Sequence, residues 1–333
     1  MRIRMRSIIT VAAAMLAFTA AQAQDPIFTQ YFMAPQAINP GFTGYMETTN
    51  IGVLHRSQWP DSDLKITTDY AFVNMWIEDA NSGLGVSFLN HRESFTDYNF
   101  SQFNGSYSYK VQLDDDWVFR PAIEAGFGSK TYGFQNLVLE DQLNIGTGTI
   151  DPVTNDPLAL NDKVTFIDIS AGMLFSNENA WVGVALKHLN KPEISFTQRG
   201  NLPLDMFFSL SGGYETMVSD LFDASFLPHN TKWLIMGNFM KQAEYNRFDI
   251  GTQLIFSQAF LGVTAATNPS RNANNSHLLT SLNLLGGLQY QHFKFGYSYD
   301  INTSGIGRTG GIHEFSLVYQ FDLKVKCLGC PEY

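Results

Sequence analysis

Seven histidines, two cysteines and one run of carboxylates are the groups in this sequence with chemistry of their own. His55, His91, His188, His229, His277, His292 and His313 are spread along the whole chain. None belongs to an HExxH pair, which would set two imidazoles and a general base on one helix face, and none lies beside a cysteine at metal-ligand spacing. No serine occupies G-x-S-x-G between a strand and a helix. Gly146–Gly148 and Gly305–Gly311 lack the Lys-Ser/Thr of a phosphate-binding loop and read as turns. Asp141, Asp151, Asp156 and Asp162 fall at irregular intervals within Glu140–Asp162. Calcium loops need a regular set of oxygen ligands, so a solvated acidic loop is the better reading. Cys327 and Cys330 form a lone C-x-x-C after Lys324 and Lys326, with no second pair for zinc and no thioredoxin-like context. A local disulfide suits an oxidising compartment, and the stretch reads as a structural or partner-binding tail. The chemistry expected is that of binding: no cofactor, no metal, no enzyme.

The elements around these groups are those of an exported membrane protein. Residues 1–23 read as a signal peptide: Arg2, Arg4 and Arg6, then an apolar run from Ile8 to Ala20, then Ala21-Gln22-Ala23 as a cleavage site. Beyond it no apolar run approaches the twenty residues of a membrane helix. Only 16% of residues are charged, against roughly a quarter in soluble domains, whereas Phe (27) and Tyr (14) are frequent. Much of the surface is therefore expected to face something other than water. Removing the three leader arginines takes the formal charge from −10 to −13, which argues against nucleic acid as a partner.

The final hairpin shows what that surface is. Phe293, Phe295, Tyr297 and Tyr299 alternate with Lys294, Gly296, Ser298 and Asp300; Phe315, Leu317, Tyr319 and Phe321 alternate with Glu314, Ser316, Val318 and Gln320. Side chains of a strand point alternately to its two faces, so each arm has one aromatic face and one mostly polar face. Fourteen such segments recur, from Asn50–Gln58 to Ile312–Phe321. Among them Trp117–Thr131 puts Arg120, Glu124 and Gly128 opposite Phe119, Ile123 and Phe127. Charges inside a strand need a polar interior. The reading is all-β: a transmembrane antiparallel up-and-down β-barrel of about 14 strands over residues 50–321, with short periplasmic turns and longer outer loops. Residues 24–49, rich in Pro and Gly yet carrying five aromatics, read as an N-terminal non-barrel segment, plug-like or at the rim. Residues 322–333 form a periplasmic C-terminal tail.

With these elements in place the chain resembles the PorP/SprF family of type IX secretion system outer-membrane proteins. The resemblance is carried by Asp25, Pro26, Phe28, Gln30, Tyr31, Asn39, Pro40 and Gly44 in QDPIFTQYF…INPGFTGY, by Arg56 and Trp59 in Arg-x-x-Trp, by Asp300 in GYSYD, by Glu314 in HEFSLVYQF, and by a basic tail ending Cys330-Pro331 and Tyr333. Gly41-Phe42 replaces the family's usual small residue after Asn-Pro, and Cys327 is an addition in the tail. The resemblance implies secretion and surface attachment of client proteins bearing a C-terminal sorting domain, such as gliding adhesins. The partners it implies are the type IX secretion machinery, a periplasmic peptidoglycan-binding lipoprotein and the bilayer. The residues it marks as family-motif or partner-contact candidates are Asp25, Pro26, Gln30, Tyr31, Asn39, Pro40, Gly44, Arg56, Trp59, Asp300, Glu314, Cys327 and Cys330. The alternative from the strand pattern alone is a passive porin or small-molecule transporter, whose polar faces would line an open pore.

Overall fold

The computed structural model describes residues 25–134, 137–144, 146–156, 159, 162–197, 200–221, 227–228, 230–269, 278–303 and 310–321. The expected leader and the tail with Cys327 and Cys330 lie outside the described residues, as do His229 and His277.

Fourteen long strands form one antiparallel sheet in sequence order. The first (Asn50–Gln58) also pairs with the last (Ile312–Gln320), from Asn50 opposite Gln320 to Gln58 opposite Ile312. That pairing closes the barrel and removes both sheet edges. The alternation decides which way each side chain points. In the fifth strand (Val118–Thr131) Arg120, Ala122, Glu124 and Lys130 are buried inside, while Ile123 and Phe127 stand exposed on the outer wall. Phe88, Phe103, Ile167, Leu261, Phe295 and Phe315 extend that outer apolar band, which only the hydrocarbon of a bilayer can cover. The outward-facing His55 and Asp69 pair with each other at 2.6 Å.

The turns at one end are tight because short polar side chains hold them, and the loop asymmetry of outer-membrane barrels makes that end the periplasmic one. Asn177 Oδ1 accepts the N–H groups of Asn179 and Ala180 at 2.9 and 2.7 Å, and Asp114 Oδ1 those of Asp116 and Trp117 at 2.9 and 2.7 Å. Both are Asx turns. Several boundaries differ from the sequence reading. The second strand runs from Ile66 to Ile77, five residues past the expected end at Phe72. Its inward Asn74 and Trp76 face the N-terminal segment, which hides the apolar alternation of Val73, Met75 and Ile77. The stretch Asn99–Leu113 divides into Tyr98–Tyr109 and Val111–Gln112. The expected outer loop Lys241–Arg247 shrinks to a turn of Ala243 and Glu244 between Lys232–Gln242 and Tyr245–Ile255.

Candidate functional site

Residues 25–49 thread the barrel from its outer end to its periplasmic end. Three short 3-10 turns, Tyr31–Met33, Pro35–Ala37 and Pro40–Phe42, keep the segment compact. Pro40 presets the first position of the third turn, and Asn39 caps it by accepting the Gly41 N–H at 2.8 Å. The same Asn39 amide donates to the wall, to Met173 O at 3.0 Å and Val184 O at 3.3 Å. Gly172 and Gly183 make that approach possible: a Cβ on either would strike the Asn39 side chain. Gly44 has φ +69°, and a Cβ there would come within 2.6 Å of Gly83 Cα, so this crossing needs glycine for two reasons.

The tightest junction lies midway. Glu314, on the last strand, accepts the backbone N–H of Thr29 at 3.0 Å and of Gln30 at 2.7 Å. Gln30 is fully buried; its amide donates to Glu314 O at 2.9 Å, and its carbonyl oxygen accepts the Ser316 hydroxyl at 2.7 Å. Thr29 Oγ1 donates to Asp300 Oδ2 at 2.6 Å. Arg56 Nη1 joins the three parts, reaching Glu314 Oε2 at 3.0 Å, Asp300 Oδ2 at 3.3 Å and Thr29 Oγ1 at 3.2 Å. Charge-assisted bonds of this kind are about twice as strong as neutral ones. Tyr31 follows, packed among Ile38, Leu234 and Met236.

Ion pairs fix both ends. At the outer end the two oxygens of Asp25 lie 2.9 Å from His188 Nε2, and His188 Nδ1 is in ion-pair contact with Asp168 at 2.9 Å. The Asp25 N–H donates to Gln242 at 2.9 Å. Burial pushes the Asp25 carboxyl up, but the facing His188, together with Lys187 and Gln242, outweighs it and holds the pKa low, at about 2. Burial likewise pushes His188 down, and the Asp25 and Asp168 carboxylates outweigh it, raising it to about 9. Pro26 lies over a small polar hollow bordered by Glu124 and Lys187, and Lys187 Nζ donates to Ala37 O at 3.1 Å. At the periplasmic end Glu47 pairs with Lys110 and Arg120, and Thr43 Oγ1 meets Ser106 Oγ at 2.9 Å. Below the segment a cleft of about 570 Å³, lined by Tyr31, Phe32, Phe42, Met46 and Trp181, opens toward the periplasm.

Of the residues carrying the resemblance, Asp25, Pro26, Gln30, Tyr31, Asn39, Pro40 and Gly44 lie on this segment, and Arg56, Asp300 and Glu314 on the wall that holds it. Trp59 stands apart, in the first outer turn with φ +54°, where its N–H donates to Gly311 O at 3.0 Å. Cys327 and Cys330 lie outside the described residues. The wall residues Asp168, His188, Lys187, Gln242, Lys110 and Arg120 were not singled out as contacts by sequence reasoning. Their signal was a charged or amide side chain at an inward strand position or strand end, which alternation assigns to the lumen without naming a partner. The acidic outer loop holds itself: Asp141 accepts the Thr154 hydroxyl at 2.8 Å and the Asn155 N–H at 2.7 Å. Among the described residues no three His, Cys, Asp or Glu side chains converge as metal ligands. What this arrangement does chemically is hold a polypeptide through a barrel.

Comparison with solved structures finds one of the same architecture. The crystal structure of the P. putida toluene transporter TodX matches with a TM-score of 0.52 at 7% identity, covering 86% of this chain and 93% of that one. That of a Pseudomonas aeruginosa FadL homologue gives 0.45 at 11% identity, with 85% and 93% covered. At 7% identity the likeness to TodX is one of fold. No curated protein matches the chain. The family described as "Type IX secretion system membrane protein PorP/SprF" matches residues 20–319. This chain, an outer-membrane β-barrel filled by its own N-terminal segment, belongs to the PorP/SprF family of type IX secretion system membrane proteins.

Proposed function

We propose that the protein is an accessory barrel of type IX secretion that supports export and surface attachment of client proteins bearing a C-terminal sorting domain, gliding adhesins among them. The family match over residues 20–319 carries the reading. The lumen contacts favour it over a porin, because the inward-facing Arg56, Asp300, Glu314 and His188 bind residues 25–49. The barrel then acts by binding, without catalysis. Its periplasmic face meets the secretion machinery and a peptidoglycan-binding lipoprotein, and its outer loops meet the client. A signal peptide ending near Ala23 delivers it to the periplasm. Deleting the gene tests the proposal: sorting-domain proteins are expected to disappear from the cell surface. Full export and retention in the deletion strain would overturn it.

A further inference from the structure

The described residues of the outer loop joining the fifth strand to the sixth (Lys163–Ser176) hold one another, yet several of their apolar side chains are exposed. Gln142 Nε2 donates to Asp151 O at 3.0 Å, and Gln142 Oε1 accepts the Leu139 N–H at 2.8 Å. Asp141 ties down Thr154 and Asn155. Leu143–Asn144 and Thr149–Ile150 pair as a miniature hairpin with Leu143 opposite Ile150. On this framework Val138, Leu143, Ile150 and Val153 are 51%, 50%, 58% and 65% exposed. They lie in the loop beyond the strand ends at Thr131 and Lys163, so the lipid that covers Phe127 and Ile167 does not account for them. Leu143 and Ile150 stand opposite each other on the hairpin, and exposed apolar side chains grouped in this way, unlike ones scattered singly, mark an interaction surface.

Charge selects the partner. Residues 132–162 contain Glu140, Asp141, Asp151, Asp156 and Asp162 and no Lys, Arg or His. A surface of anionic headgroups would be repelled. So would a second copy of this chain, whose formal charge without the three leader arginines is −13. The complement is a polypeptide face with apolar side chains and lysine or arginine around them.

We propose that this loop is the grip for the client: Val138, Leu143, Ile150 and Val153 dock an apolar, basic segment of a secreted sorting-domain protein. The inference rests on the function proposed above and names the part of the barrel that performs the attachment. A dedicated grip on the cell surface explains why an outer loop would be ordered by its own buried Gln142 and still expose aliphatic residues.

The test compares wild type, a gene deletion and a chromosomal L143D/I150D strain, with sorting-domain proteins quantified by mass spectrometry on cells and in medium. L143D/I150D is expected to leave the barrel at its normal level, seen as a heat-shifted band, and to release at least one such protein into the medium about tenfold more than wild type, the scale of one interface hot spot. If the double variant lowers the barrel level, V138D, outside the hairpin, is expected to give the same release. Wild-type retention in both variants, while the deletion loses the proteins, overturns the loop assignment alone. A deletion without effect overturns the functional reading as well. A photo-crosslinker at position 150 identifies the neighbour: an adduct with a released protein is expected, and adducts only with a second copy of this chain or with lipopolysaccharide overturn the proposal.

Discussion

Arg56 and His188 hold the N-terminal segment by different physics, and each can be tested by itself. The Arg56 guanidinium reaches two buried carboxylates, Asp300 and Glu314, whose side chains are almost fully out of solvent. Arg56→Met keeps much of the stem and removes the charge. Stranding a buried partner in this way costs about 3–5 kcal/mol. The urea concentration that unfolds the solubilised barrel, read from its heat-shifted gel band, is expected to fall clearly in Arg56→Met and less in Arg56→Lys; an unchanged midpoint would refute the role. His188 makes the outer end pH-dependent. Its folded pKa, about 9, lies above its ordinary 6.5, so its contribution is complete below pH 6.5 and disappears as pH rises through about 9. Asp25, held at about 2 against an ordinary 3.8, contributes above pH 3.8 and loses that contribution as pH falls through about 2. Thermal melts between pH 6 and 10 are expected to show stability falling across this upper window in the wild type and a flatter profile in His188→Gln. Parallel profiles would mean the pair with Asp25 does not hold the segment.

At the scale of elements, strands were legible and contacts were not. The alternation of Phe293, Phe295 and Tyr297 with Lys294, Gly296 and Ser298 is a local property, and the thirteenth strand (Phe293–Asn302) follows it. Glu314 could be assigned to the polar face of its strand, but its bonds to Thr29 and Gln30 cross 285 and 284 positions and depend on the stagger of every strand between. The proline spacing of residues 25–49 excluded a strand there without giving the path through the lumen. The second strand was read five residues short because Trp76, a large apolar residue, points inward. The two faces of the final hairpin now predict different failures. Tyr297 is exposed on the outer wall, so Tyr297→Arg places a charge in hydrocarbon at about 2–4 kcal/mol and is expected to lower barrel assembly. Ser298 is fully buried beside Gln30. A lumen position in an open pore would accept arginine, but here Ser298→Arg displaces the N-terminal segment. Assembled barrels with residues 25–49 newly open to protease are the expected result; a protected segment in Ser298→Arg would place it elsewhere.

Taken whole, the molecule is a membrane barrel whose lumen holds its own N-terminal segment. Arg120, Lys110 and Glu47 close one end of the contact, Asp25 and His188 the other, and Arg56, Asp300 and Glu314 the middle. A porin keeps such charges wet to pass solutes; this barrel pairs them with an internal segment, and its exposed apolar side chains face lipid, the acidic loop and the cleft at the periplasmic end. That division of surfaces is the one the proposed anchoring role requires. Single-channel recording of the full-length barrel in a planar bilayer tests it most directly, with a variant lacking residues 25–49 as reference. The account predicts no stable open current from the full-length protein and porin-like steps from the shortened one. Large, stable openings of the full-length barrel, equal to those of the variant, would contradict it.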